Sequence, residues 1–114
     1  MLAKQYRLTK NKDFARIAKK GQSIFSSELG IKWIKNNLAD SRFGIVVSLK
    51  IDKKAVIRNR IKRIFRAILK ENLSRFKRGF DFLILVQPKL KGMNYYQIED
   101  KLLSLLKKKD LLEK

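Results

Sequence analysis

Residues 53–70, KKAVIRNRIKRIFRAILK, hold eight Lys and Arg side chains and no carboxylate. Ile57, Ile61, Ile64, Phe65 and Ile68 recur at i, i+3 and i+4 intervals, which gathers them on one face of a helix of about 3.6 residues per turn. That face predicts burial. Asn59, Lys62, Arg63, Arg66 and Lys70 cluster on the opposite face, with Arg58 on its flank and Arg60 nearer the core edge. Lys62 with Arg66, and Arg66 with Lys70, sit one turn apart, where each like-charged pair costs an isolated helix about 0.2–0.5 kcal/mol. A merely solvated basic face normally interleaves acids with bases. This one does not, so the pattern predicts a helix that meets a polyanion.

Composition extends the same reading. The chain has 114 residues, 45% of them hydrophobic, which suits one domain over residues 1–114 with one modest core. Its 29 Lys and Arg against 10 Asp and Glu give a net charge of +19 and an isoelectric point near 10.5. Self-repulsion on that scale calls for an anionic partner. A membrane surface is one such anion, but no apolar run approaches the roughly 18 residues of a spanning helix, and residues 1–7 lack the apolar segment of a signal peptide. A cytoplasmic location is expected.

With no Cys and no His, disulfides, thiolate and imidazole catalysis, and cysteine-bound zinc are excluded. The ten acids are scattered; only Glu99 and Asp100 are adjacent, and neighbours on a helix diverge too widely to clamp one ion. No phosphate-binding glycine loop and no paired-acid pattern of a metal-dependent nuclease is present. The side chains of this polypeptide are expected to break no bonds themselves.

Along the chain, residues 8–21 read as a short helix, capped by Asn11, with Asp13 in its first turn, Phe14, Ile17 and Ala18 on one face, and Gly21 ending it. Residues 23–35, with Leu29, Ile31 and Trp33 alternating, predict a half-buried strand, Trp33 in the core. The turn residues Asn36, Asn37, Asp40 and Ser41 then predict a hairpin into a second strand over residues 42–49. After the basic helix, residues 80–86 present no polar face, as a central strand covered on both sides would. Asn94 and Gln97 offer a capping-box-like start to a last helix with Ile98, Leu102, Leu105 and Leu106 as its inner stripe. Lys107, Lys108 and Lys109 suit the negative end of that helix. The expected class is α+β: a single-domain sandwich of a mixed β-sheet with packed helices, order α-β-β(-β)-α-β-α. A strand, the basic helix and the central strand form a βαβ unit, whose default crossover is right-handed.

Arg58, Asn59, Lys62, Arg63 and Arg66, an Arg-Asn pair ahead of a Lys-Arg pair and a further Arg on one helix, resemble the signature of the bacterial ribonuclease P protein component. Arg7-Leu8, Asp13-Phe14, Arg42-Phe43-Gly44, Ser48, Lys50 and Asp81 extend the resemblance over nearly the whole chain. It implies a subunit of the ribonucleoprotein that removes the 5′ leader from precursor tRNA, with a large RNA as catalyst and Mg2+ at the RNA active site. It also implies a left-handed βαβ crossover, against the default. The implied partners are the catalytic RNA subunit and precursor tRNA, with neither a membrane nor DNA, and no protein-side metal site is assigned.

By position, the resemblance assigns RNA binding to Arg58, Asn59, Lys62, Arg63 and Arg66, extended by Lys50, Lys53 and Lys54. Cations neutralise phosphates and Asn59 offers directional hydrogen bonds. It assigns the leader cleft to Phe14, Ile17 and Ala18 on the first helix and Leu29 and Lys32 on the following strand. From the residues alone, Phe14 fits core packing as well as a cleft role. Ala18 and Lys32 stand where relatives commonly place aromatics, so less base stacking, worth about 1–3 kcal/mol per base, is expected there. Asp52-Lys53-Lys54 departs from the glycine-containing loop of many relatives, leaving its backbone shape open. Two other classes share part of the pattern: a ribosomal or other structural RNA-binding protein shares the charge but not the motif order, and a self-sufficient metal-dependent nuclease lacks the acids.

Overall fold

Phe80 to Val86 lies at the centre of the sheet, and the rest of the chain is arranged around it. The computed structural model describes residues 2–113; Met1 and Lys114, the ends of the expected domain, lie outside them. Helix α1 spans Asn11–Lys20, strands β1 Gln22–Phe25, β2 Leu29–Lys35 and β3 Arg42–Val46, helix α2 Ala55–Glu71, strand β4 Phe80–Val86 and helix α3 Tyr95–Lys108, with short 3-10 turns between some of them. The strand order is β1-β2-β4-β3. β4 runs antiparallel to β2, from Leu29 opposite Val86 to Lys35 opposite Phe80, and parallel to β3, from Arg42 opposite Asp81 to Val46 opposite Leu85. Because β4 carries almost no polar side chain, the stable place for it is between two strands and under two helical layers.

The α+β class, the central position of residues 80–86 and the β3–α2–β4 unit agree with the sequence reading. The expected hairpin between residues 23–35 and 42–49 does not form: β4 separates β2 from β3. The turn residues are held by β4 instead, since Asn36 Nδ2 donates to Asp81 Oδ1 at 2.9 Å and the amide of Phe80 donates to Ser41 Oγ at 3.1 Å. Residues 23–35 are also two strands. Ser26 turns the chain, its Oγ accepting from the amides of Glu28 and Leu29 while its own amide donates to the Leu29 carbonyl at 2.8 Å.

Two cores of unequal size result. On one sheet face Leu29, Ile31, Trp33, Phe43, Phe82 and Ile84 pack with Ile61, Phe65, Ile68 and Leu69 of α2 and the inner stripe of α3. Phe43 and Phe82 stack with ring centroids 5.4 Å apart. The capping box of α3 forms as read, Asn94 Oδ1 accepting from the Gln97 amide at 2.9 Å and Gln97 Oε1 from the Asn94 amide at 3.0 Å. On the other face the buried apolar cluster among the described residues is Leu8, Ile17 and Leu83, with Phe14, Ile34 and Leu85 against them.

Helix α1 begins later than residue 8. The Leu8 amide donates to the Phe43 carbonyl at 2.8 Å and Arg7 makes a parallel bridge to Phe43, so residues 7–8 run extended along β3 after a short 3-10 turn over Lys4–Tyr6. Lys10, with no side-chain cap, takes the capping position, and Asn11 is the first helical residue. Gly21 does end the helix, for a reason of space: a Cβ there would lie 2.5 Å from the Ile17 carbonyl oxygen and 3.0 Å from that of Trp33.

Candidate nucleic-acid interface

Helix α2 buries Ile61, Phe65, Ile68 and Leu69 and leaves Asn59, Arg63 and Lys70 exposed, with Lys62 and Arg66 half-buried between. Among the described residues, no cation of α2 is in an ion pair. The helix thus presents an uncompensated positive face. Its N-terminus adds a further conflict, because Lys53, Lys54 and Arg58 crowd the positive end of the dipole with no acid in the first turn.

The loop before α2 answers part of that conflict. Arg58 Nη1 turns back and donates to the carbonyls of Asp52 at 2.9 Å and Lys53 at 2.8 Å. Asp52 Oδ1 accepts from the Lys54 amide at 2.8 Å, and its other oxygen pairs with Lys91 Nζ at 2.6 Å. The Lys91 and Lys54 contacts hold the Asp52 carboxyl below its ordinary range. A carboxylate-centred turn therefore sets the shape that the sequence left open. Lys50, Lys53 and Lys54 stand exposed around it. Of the eight residues assigned to RNA, Arg58 alone is committed to the protein's own backbone.

The cleft assignment fares differently. Phe14 lies over β3, its ring occupying the space a side chain at Gly44 would need, with Cε1 2.6 Å from the position of a Cβ. Lys32 is half-buried on the same sheet face, and Ala18 is exposed on α1. Ile17 is fully buried with Leu8 and Leu83 and offers no surface. Leu29 is a correction: it is fully buried in the large core on the opposite face. Strand alternation forces this, since Leu29, Ile31 and Trp33 share a side and Gly30, Lys32 and Ile34 share the other.

That second side carries residues the sequence reading missed. Phe25, Gly30, Leu85 and Val46 form one row across all four strands by register. Phe25 is 52% and Val46 38% exposed, and the Phe25 ring lies directly on Gly30, with Cδ1 2.2 Å from where a Cβ would stand. A recess of about 240 Å³ beside Val46 and Leu85 reaches Ser48 and Lys50, so the open row runs into the cationic loop before α2. Ser26-Ser27 was the available signal: once it is read as a turn, Phe25 falls opposite Gly30.

Asp81, 1% exposed, fixes the far end of this face. Arg42 grips it through Nε at 2.9 Å and Nη2 at 2.7 Å, while Arg42 Nη1 stands 3.6 Å from Asp13 in the first turn of α1. The Asp81 carboxylate raises the Arg42 pKa and keeps the guanidinium charged. The network ties α1 to the sheet.

The sequence model of the family described as Ribonuclease P matches residues 2–110. The chain belongs to the ribonuclease P protein family. The ribonuclease P protein component of Pseudanabaena sp. is 38% identical over 113 residues, covering 98% of this chain and 97% of that protein. The solved structure of the RNase P protein from Staphylococcus aureus matches with a TM-score of 0.86 and 34% identity, covering 95% of this chain and 98% of that one. The RNase P protein from Thermotoga maritima matches at 0.82 and 35%, covering 90% and 96%. Membership in the ribonuclease P protein family implies a role in tRNA 5′ processing, as the protein component of an endoribonuclease. Among the described residues, no helix of this ribonuclease P protein is long and apolar enough to cross a membrane, and no group of three or more acids could hold a metal ion.

Proposed function

We propose that this chain is the noncatalytic protein subunit of a ribonuclease P particle, acting in the cytoplasm on two nucleic-acid segments at once. The α2 face, through Asn59, Lys62, Arg63 and Arg66 with Lys50, Lys53 and Lys54, binds the catalytic RNA. Arg58 shapes the loop that presents these lysines. The open row of the sheet, with Phe14 and Lys32, receives the single-stranded 5′ leader of precursor tRNA. Phe25 supplies part of the stacking surface missing at Ala18 and Lys32.

The observation that carries this reading is the cationic face of α2, unpaired among the described residues and continuous through Lys50 with an exposed apolar row. Mg2+ belongs in this reading to the RNA active site, where it would activate the attacking water and steady the leaving oxygen. Among the described residues, the protein's acids form no cluster of three or more that could hold a metal ion. The chain's own work is to neutralise phosphates and hold the leader in place.

Addition of the purified chain to cognate catalytic RNA at low Mg2+ should raise the rate of leader removal or the affinity for precursor tRNA. No gain in either would leave a structural RNA-binding protein. Cleavage by the chain and Mg2+ without RNA would identify a self-sufficient nuclease instead.

A further inference from the structure

Asp13 and Phe14 stand side by side in the first turn of α1, and each engages one residue of β3. Arg42 Nη1 lies 3.6 Å from Asp13 Oδ2, and the Phe14 ring fills the space over Gly44, its Cε1 2.6 Å and its Cζ 3.1 Å from where a Cβ would stand. Arg42, Gly44 and Val46 share one face of β3 by alternation. Along that face the first is ion-paired, the second is covered by Phe14, and the third is 38% exposed. Phe14 thus marks where cover ends and the open row begins.

Apolar packing fixes α1 weakly, since Ile17 is its one buried residue where α2 buries Ile61, Phe65, Ile68 and Leu69. Polar ties supply the rest. Asp13 is the only acid of the helix, beside Lys12, Arg16, Lys19 and Lys20. Arg16 Nη2, one turn on, donates to the Lys35 carbonyl at the end of β2 at 2.9 Å. The helix is therefore fastened to β3 and to β2, on either side of β4. The β3 fastening is preorganised: Asp81, which also accepts from Asn36, holds Nε and Nη2 of Arg42 and leaves Nη1 for Asp13. The side chains of Asp13 and Arg42 are 12% and 23% exposed, so water screens the pair less than it screens a surface bridge.

We infer that Asp13 and Arg42 are positioning residues for leader recognition, fixing the Phe14 ring on Gly44 as the wall that bounds the apolar row. The ligand in this inference rests on the proposed function; the contacts that set the ring do not. A ring moved by about 1 Å offers a base a poorer stacking face, which is how a contact remote from the ligand changes affinity. Asp13 acts here through Phe14 and without touching RNA, whose phosphates its charge repels.

The test uses particles reconstituted from the whole chain and cognate catalytic RNA, and compares precursor tRNA that carries its leader with mature tRNA that lacks it. Asp13→Asn should weaken binding of the leader-bearing substrate by about 5-fold, the low end for one stacked base, and leave mature tRNA and the maximal cleavage rate unchanged. A plain charge effect has the opposite sign, because the substitution removes a negative charge beside a polyanion. Gly44→Ala, which displaces the ring from the strand side, should act in the same direction. In a Phe14→Leu background, itself weakened, both losses should vanish, because each acts through the ring.

An Asp13→Asn loss shared equally by mature tRNA, or one that persists in the Phe14→Leu background, overturns the positioning role. Unchanged or tighter leader binding in Asp13→Asn, with weakened binding in Phe14→Leu, overturns it too and leaves Phe14 in the leader site. If Phe14→Leu leaves leader binding unchanged, the leader reading of Phe14 falls and takes the positioning role with it, so the two failures are told apart. Should Asp13→Asn fail to fold, Gly44→Ala carries the same comparison.

Discussion

The two faces of the sheet are made from the same four strands and end in opposite states. Toward α2 and α3, alternate residues such as Ile31, Phe82 and Ile84 are buried to 1% exposure or less, along with Phe65 and Ile68 from the covering helix. Toward α1, the ten-residue helix closes over Leu83 and Gly44 and stops, and the next row, Phe25, Leu85 and Val46, stays open. The difference lies in helix length and placement, because the strands offer apolar side chains to both sides. Burial is concentrated on the closed face, and exposed apolar side chains on the open one.

Substitutions sort by face. Phe65→Ala removes a fully buried ring from the closed face and should cost about 3–5 kcal/mol, read as a lower urea midpoint with an unchanged m-value. A loss below about 1 kcal/mol would mean that the large core does not hold the fold. Asp81→Ala should cost about 3 kcal/mol, the low end for a broken buried pair because Arg42 is 23% exposed. It should also loosen α1, so amide exchange should quicken in residues 11–20 before it does in α3.

Phe25→Ala tests the open face. Stability should change by no more than about 0.5 kcal/mol. Affinity for a single-stranded leader oligonucleotide, measured by anisotropy, should fall by about 1–3 kcal/mol. A large stability loss with unchanged affinity would make Phe25 a packing residue and erase the contrast. Arg63→Ala should leave unfolding unchanged within about 0.5 kcal/mol and lower the salt slope of RNA binding by about 0.9 on duplex or 0.7 on single strands.

The smallest effect concerns pH. The Asp52 carboxyl lies below its ordinary 3.8, so its hold on Lys91 and the Lys54 amide is present above 3.8 and lost as pH falls through the lowered value. The Lys54 amide resonance should therefore titrate below 3.8 and be flat through neutrality, and Asp52→Asn should abolish the titration. A midpoint at or above 3.8 would contradict the carboxylate-centred turn.

Features set by local periodicity were legible in the sequence: the buried and basic faces of α2, the covered strand β4 and the capping box of α3 all follow from residues within one or two turns of each other. Pairing was not. Asn36 and Ser41 carry turn chemistry, but their partners Asp81 and Phe80 lie 45 and 39 positions away, and nothing local says that β4 inserts between β2 and β3. Leu29 could have been placed correctly, since it shares parity with Trp33, already read as core. The cleft position that the resemblance assigns to Leu29 conflicts with that parity, and the buried side holds it. Phe25 is hidden when residues 23–35 are read as one strand, because its opposition to Gly30 needs the turn at Ser26.

Gly30 has a genetic consequence. Any side chain installed there would evict the Phe25 ring, so position 30 is not free to drift while the ring is kept. Viable descendants of this sequence should alter the two jointly, trading bulk across the hairpin, and a single replacement at Gly30 should be harmful until a smaller residue at position 25 suppresses it.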